Sequence, residues 1–410
     1  MRITILAIFL GMTGFQLFLK YLTYSHRNKP LPENVRDIYD PEEYKRSQNY
    51  RMAVLRHSIV TSLVSTAVTL VILLTNFHAG LFEFILLRTY NLYLTDLFIY
   101  LLPFLIAKII DIPFDLYNTF GIEARFGFNK SSVGTFILDQ IKSTGISLVV
   151  MSSVLILFVW LYGWLGNAMF PIFFVIMLLI ALFIMFISPI LIRIFNKLTP
   201  LEEGSLKVKI TEMAMKTGYK LKGIYRVDAS RRSTKLNAFA IGFGKSKTIG
   251  LFDTLIEKME EDEIVSVLLH EIGHAEKKHM IKRFPLIILS FSMLIVIAYM
   301  AVTMPGWSQA FGFAYSNIAF AFYIIFILAS PLMMLFMFPA NALSRKHEYE
   351  ADKYATDRLP AEIMESALKK LIKENLGDLN PHPFVVALEY RHPPAHQRLA
   401  AIERNKTCKS

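Results

Sequence analysis

The chain has 410 residues, 54% of them apolar and 13% aromatic, and a formal net charge of +11. A soluble chain of this length would hold two or three domains, but this composition exceeds soluble-protein values, and the apolar residues are gathered in blocks. Lys and Arg are concentrated in alternate connections between those blocks, which is a pattern of membrane topology and leaves no role for nucleic acid.

Seven blocks, 3–19, 59–77, 92–110, 145–166, 169–194, 284–304 and 318–340, are each long enough to cross an apolar layer of roughly 30 Å. The first also resembles a signal peptide. No small-x-small cleavage site follows it, and Phe15, Phe18 and Tyr21 crowd the place where one would lie, so it reads as an uncleaved span. With seven crossings, the loops near 78–82, 167–168 and 305–317 carry no Lys or Arg, and the opposite set carries nearly all of them. The positive-inside rule places that basic set in the cytosol and the N-terminus outside, against Arg2 alone. The single cysteine, Cys408, excludes an intrachain disulfide and stands one place too late for a prenylation box. The sequons at Asn129 and Asn405 fall on the cytosolic side and read as chance matches.

After the first span, residues 20–58 form a polar connector in which Pro30, Pro32 and Pro41 oppose one long helix. Residues 81–96 mix Glu83, Arg88, Asn91 and Asp96 into a helical apolar pattern, and the third span also carries Lys108. Such groups either face water or protein inside the bundle, or belong to an interfacial helix before the true span. Residues 117–144 read as an amphipathic cytosolic loop, and the fourth and fifth spans as a hairpin turning near Gly166 and Asn167. A helix is expected from Leu201 to Thr217, ended by Gly218. Short runs at 224–227, 238–243 and 248–251, punctuated by Gly242, Gly244 and Gly250, predict a small antiparallel sheet whose edge is suited to pairing with an extended peptide.

The next helix holds Leu268-Leu269-His270-Glu271-Ile272-Gly273-His274. Glu260 to Glu263 crowd its start and Lys277 and Lys278 its end, as the helix dipole favours, and it is expected to run through Arg283 into the sixth span. On a helix, His270 and His274 share one face and can grip one metal ion, with Glu271 beside its open side. A bare H-E-x-x-H also arises by chance, and two histidines do not make a stable zinc site; a catalytic zinc has three protein ligands and one open position. Just beyond the seventh span, Glu348 and Asp352 lie four apart on an expected helix. Taken alone they are ordinary surface carboxylates. Paired with the histidines, Glu348 supplies the third ligand and Asp352 orients a ligand histidine. Zinc there would lower the pKa of water to about 7, with Glu271 accepting the proton as the water attacks a peptide carbonyl. His347 and His279 lie off the ligand face by helix geometry. Farther on, Pro393 and Pro394 fix the backbone between His392 and Arg398, either of which is placed to stabilise an oxyanion; the plainer reading is a turn before the last helix.

These residues resemble the CAAX prenyl endopeptidases of the Ste24 type, within the M48 metallopeptidases. The resemblance is carried by the block from Tyr117 to Lys130, Leu236-Asn237-Ala238-Phe239 with Gly242-Phe243, Leu251-Phe252-Asp253-Thr254-Leu255, the His270–His274 motif, Ser344-Arg345 through Glu348 and Asp352, and His392-Pro393-Pro394 with Arg398. Several of these blocks are not expected in the smaller HtpX-type quality-control proteases. The resemblance implies His270, His274 and Glu348 as ligands of one zinc ion and Glu271 as the base. It implies assistance from His392 and Arg398, and places Asn237 and Ala238 on the substrate-binding edge strand. The implied fold is mainly α and polytopic: seven transmembrane helices enclose a chamber lined by Asp96 and Lys108, capped by a cytosolic zinc metallopeptidase domain with a small sheet.

The expected divisions are membrane helices with loops over 1–194, a peptidase segment over 195–283, two more spans over 284–340, and a C-terminal segment over 341–410 completing the zinc site. The implied activity removes the last three residues of prenylated CAAX proteins at the endoplasmic reticulum membrane of a eukaryote or the cytoplasmic membrane of a bacterium. Membrane lipids are the expected surroundings and the monomer the expected state. A general membrane-protein quality-control protease is the second reading, and a channel or transporter the third; the chain has no internal repeat to support the latter.

Overall fold

The computed structural model describes residues 1–241 and 247–407. Cys408 and the glycines at 242 and 244 lie outside the described residues. Helix α1 (Arg2–His26) leads through a short 3-10 turn to α2 (Pro41–Leu74). The prolines divide the connector as expected. Pro41 opens α2, and Asp40 caps it by accepting from Glu43 N at 2.8 Å while Glu43 accepts from Asp40 N at 3.2 Å.

Residues 81–96 are not one helix. Helix α3 (Phe77–Thr89) is bounded by Asn76 and Tyr90, both in the left-handed region at φ 54° and 51°, and packs on α4 (Leu92–Leu116). Asn91 caps α4, and Asp96 accepts from Asn317 Nδ2 at 3.1 Å, so its carboxylate faces protein. The stretch 117–144 is helical for most of its length. A π-helical turn, Tyr117–Glu123, extends α4, and α5 (Val133–Leu165) begins with Ser132 as its cap. Between them Phe126 and Phe128 are buried in a second core described below, and Glu123 accepts from Tyr50 Oη at 2.6 Å and pairs with Lys235 at 2.9 Å. The turn at Gly166, φ 53°, joins α5 to α6 (Met169–Phe195) as expected.

Among the described residues, six helical stretches are long and apolar enough to cross a membrane. One of them, Val133–Ile184, contains the turn at Gly166 and so comprises α5 and much of α6. Their packed interior is one apolar core, with Ile99, Phe158 and Phe320 fully buried. A cavity of about 410 Å³ opens between α1, α2, α4, α5 and the long helix near the C-terminus, lined by residues that include Phe9, Tyr100, Phe104 and Tyr323.

The second core lies among the sheet and the helices packed on it. Strands β1 (Leu198–Pro200), β2 (Leu221–Val227), β3 (Ala238–Ile241) and β4 (Lys247–Phe252) form one sheet in the order β1-β2-β4-β3. The expectation of an antiparallel sheet is corrected here: β2 and β4 run parallel. The chain leaves β2, passes outside β4 and lays β3 antiparallel at the edge before returning as β4. Helix α7 (Ser205–Lys216) starts later than expected, because Leu201 N bonds Ile224 O at 2.9 Å; Gly218, at φ 68°, stops it.

Helices α8 (Asp253–Lys258) and α9 (Glu261–Glu276) follow. In α9, Ile264, Val265, Leu268, Leu269 and Ile272 are all buried, so the helix runs through the core. Glu263, 7% exposed, accepts from Glu260 N at 3.0 Å, Ser366 Oγ at 2.6 Å and Lys370 Nζ at 3.2 Å. Burial opposes its charge, but these donors hold its carboxyl below the usual range. Glu263→Ala is expected to lower stability by about 2–3 kcal/mol in thermal unfolding. The wild-type advantage should be complete above the ordinary carboxylate pKa of about 4.3 and vanish as pH falls through the lower folded value. A variant as stable as wild type at neutral pH would refute this.

Helix α9 does not run into the sixth span. Lys278 turns left-handed at φ 55°, and the short α10 (His279–Lys282) precedes α11 (Phe284–Thr303). After α12 (Gly306–Gln309), α13 (Ile318–Thr356) is one 39-residue helix that carries both an apolar span and Glu348. Helices α14 (Ala361–Glu374), α15 (Pro383–Glu389) and α16 (Ala395–Thr407) complete the chain's described residues.

Candidate metal centre

Helices α9 and α13 pack directly on each other, and Gly273 permits it. A Cβ at Gly273 would lie 3.2 Å from Ala351 Cα and 3.0 Å from Tyr354 Cβ. Backbone cannot yield as a side-chain end can. Gly273→Ala is therefore expected to be net destabilising, since overpacking costs about 1–3 kcal/mol against about 1 kcal/mol of helix propensity gained. A raised melting temperature would contradict it.

That close approach brings His270, His274 and Glu348 together. His270 Nε2 and His274 Nε2 are 3.1 Å apart, and Glu348 places Oε2 3.4 Å from the first and Oε1 3.3 Å from the second. One ligand atom from each lies within 4.8 Å of the others. His270 Nδ1 is 2.8 Å from Asp352 Oδ1. A carboxylate only accepts, so Nδ1 of His270 carries a hydrogen and Nε2 is the atom that points inward. Burial opposes a charge on His270, yet Asp352 and Glu348 outweigh it and lift its imidazole to about 9. That preference is for positive charge at Nε2, which a bound cation would satisfy in place of a proton. Glu348 is 3% exposed and its Oε2 has no aligned donor, although His392 Nδ1 approaches to 2.7 Å. Inward-facing imidazole nitrogens and a buried carboxylate oxygen without an aligned donor fit a divalent cation bound by nitrogen and oxygen.

Asp352, 1% exposed, is itself held by Arg398, whose Nε and Nη2 donate to Oδ2 and Oδ1 at 2.8 and 2.6 Å. Burial works against the Arg398 charge, but Asp352 more than offsets it and raises its pKa. Arg398 Nη1 lies 3.9 Å from Glu348. The side chain of His392 is 69% exposed, at the outer side of Glu348. Glu271 is half-buried on α9 beside His270. Strand β3 is the sheet edge and packs against α9. Asn237, just before it, is exposed and accepts from Ala238 N through its own Oδ1 at 2.9 Å, whereas Ala238 is buried opposite Leu251.

His279 and His347 stay outside the donor set, as expected, but His279 is not remote. Its Nδ1 lies 2.9 Å from His274 Nδ1. The spacing gave no hint of this contact because it depends on the break at Lys278.

Residues 20–197 match the family described as CAAX prenyl protease N-terminal, five membrane helices, and residues 200–406 match peptidase family M48. The chain belongs to the M48 metallopeptidases. It is similar to the CAAX prenyl protease 1 homolog of Arabidopsis thaliana, 36% identical over 72% of this chain and 70% of the relative. It is also similar to CAAX prenyl protease 1 of Saccharomyces cerevisiae, 30% identical over 96% of this chain and 94% of the relative. The crystal structure of S. mikatae Ste24p superposes with a TM-score of 0.93 at 28% identity, covering 98% of this chain and 99% of that one. This M48 member is thus a multi-pass membrane metallopeptidase, and the metal-binding geometry above lies within its M48 region.

Proposed function

We propose that the protein is a zinc endopeptidase that removes the C-terminal tripeptide from prenylated CAAX proteins. The observation that carries this reading is the junction of α9 and α13, where His270, His274 and Glu348 converge on the helix that is also a membrane span. Similarity to CAAX prenyl protease 1 proteins over most of the chain supports the substrate class.

In this reading His270, His274 and Glu348 hold one zinc ion, which when bound supplies Lewis-acid polarisation of a carbonyl and acidification of water. Glu271 takes the proton of the attacking water and passes it to the leaving amine as the C–N bond breaks. Asp352 and Arg398 position His270, and His392, exposed beside Glu348, is the candidate donor to the oxyanion. Edge strand β3, entered through Asn237 and Ala238, aligns the extended peptide by strand addition. Counting α5 and α6 separately gives seven crossings around a chamber, with the peptidase half on the cytosolic side that the Lys and Arg distribution favours. The membrane is the endoplasmic reticulum in a eukaryote or the cytoplasmic membrane in a bacterium.

The test is cleavage of one peptide in farnesylated and unmodified forms, with product masses read. Release of the terminal tripeptide from the farnesylated form alone, abolished by chelation and restored by zinc, is the expected result. Equal rates would return the activity to a general membrane protease.

A further inference from the structure

His279 and Glu350 have no part in the chemistry above, yet they surround His274 as closely as Asp352 and Arg398 surround His270. His279 is 3% exposed. Its Nδ1 is 2.9 Å from His274 Nδ1 and its Nε2 is 3.0 Å from Glu350 Oε2, an oxygen that Lys282 Nζ also reaches at 3.3 Å. His347 lies flat against the His279 ring, with centroids 4.0 Å apart and planes within 5°.

The partners fix the direction of the proton chain. The Glu350 carboxylate only accepts, so Nε2 of His279 carries a hydrogen and donates. Nδ1 of a neutral His279 is then bare and accepts from His274 Nδ1–H. His274 Nε2 is left with a lone pair, and it is the atom that faces His270 and Glu348. The backbone makes this possible. On an unbroken helix, a residue five places beyond His274 would point roughly 140° away from it. The left-handed Lys278 swings it back.

We propose that His279 and Glu350 are positioning residues: a hydrogen-bonded relay, His274 to His279 to Glu350, fixes the tautomer and ring angle of His274 for metal binding. It does for one ligand histidine, through an inserted imidazole, what Asp352 does directly for the other. Carboxylates and carbonyls commonly hold ligand histidines in this manner. The inference rests on the reading of His274 as a zinc ligand.

The test uses the full-length protein in detergent, with zinc affinity measured by chelator competition and the visible spectrum of the cobalt-loaded protein as a local readout. His279→Leu keeps bulk and removes both hydrogen bonds; a loss of zinc affinity of about 10- to 100-fold and a shifted cobalt spectrum are expected. His279→Asn places an amide oxygen near the lost Nδ1 and should recover most of the affinity. The double variant His279→Leu/Glu350→Ala should lose no more than His279→Leu alone. Wild-type affinity and spectrum in His279→Leu overturn the relay, as does an Asn variant no better than Leu, or additive losses in the double variant. If His279→Leu does not fold, Glu350→Ala, at the more exposed end of the relay, carries the test: a severalfold loss supports it and unchanged affinity overturns it. His274→Ala separates the two levels. Zinc retained at wild-type affinity there sinks the ligand reading itself, whereas zinc lost there but kept in His279→Leu sinks the relay alone.

Discussion

Glu271→Ala is expected to keep the fold and the metal while slowing peptide cleavage by about 10²- to 10⁴-fold or more, the range supplied by a positioned general base. Glu271 is adjacent to His270 but is not one of the three converging donors. It is half-buried on a helix whose apolar packing runs through other residues, Ile264, Leu268, Leu269 and Ile272 among them. Its loss therefore removes a proton acceptor without opening the core or stripping the metal site. Zinc content and thermal unfolding of the purified variant check the first half, and single-turnover cleavage of a farnesylated peptide checks the second. Activity within a few-fold of wild type would exclude Glu271 as the base.

Arg398→Ala is expected to do the opposite: to damage stability and metal retention together. The guanidinium grips both oxygens of an Asp352 that is 1% exposed. Removing one partner of a buried pair leaves the other as an uncompensated charge, at a cost of about 3–5 kcal/mol. Asp352 is also what fixes His270, so its displacement should loosen zinc. Arg398→Lys restores charge but not the two-pronged geometry and should fall between. An Arg398→Ala protein that is stable and zinc-loaded, yet slow, would instead give Arg398 a direct part in substrate or oxyanion binding.

Much of the architecture was legible because it rests on signals that local sequence carries. Apolar run length marks the membrane helices, and charge at the two ends of α9 marks that helix. The interval between Glu348 and Asp352 brings the carboxylates to one side of α13, as drawn from helix geometry. What sequence did not convey depends on direction or on single dihedrals. The short extended runs at 224–227 and 248–251 carry no information on whether neighbours run parallel, so the parallel pairing of β2 with β4 was missed. The break at Lys278 has no residue signature, since a lysine at φ 55° is not one that composition flags. With α9 drawn straight to Arg283, His279 pointed away from the site. The real backbone brings it back.

The continuity of α13 sets a height. The apolar run of this helix ends at Phe338 and Pro339, and Glu348 follows ten residues after Phe338, or about 15 Å along the axis. A prenyl chain resting in the bilayer must be lifted by up to that distance to bring its cysteine to the metal. Exposing it to water on the way would cost about 0.8 kcal/mol per methylene, a total near 12 kcal/mol for a fifteen-carbon chain. The rod that carries Glu348 therefore makes an apolar wall between membrane and metal an energetic necessity for a lipidated substrate, and the helices beside α13 are the surfaces available to form it.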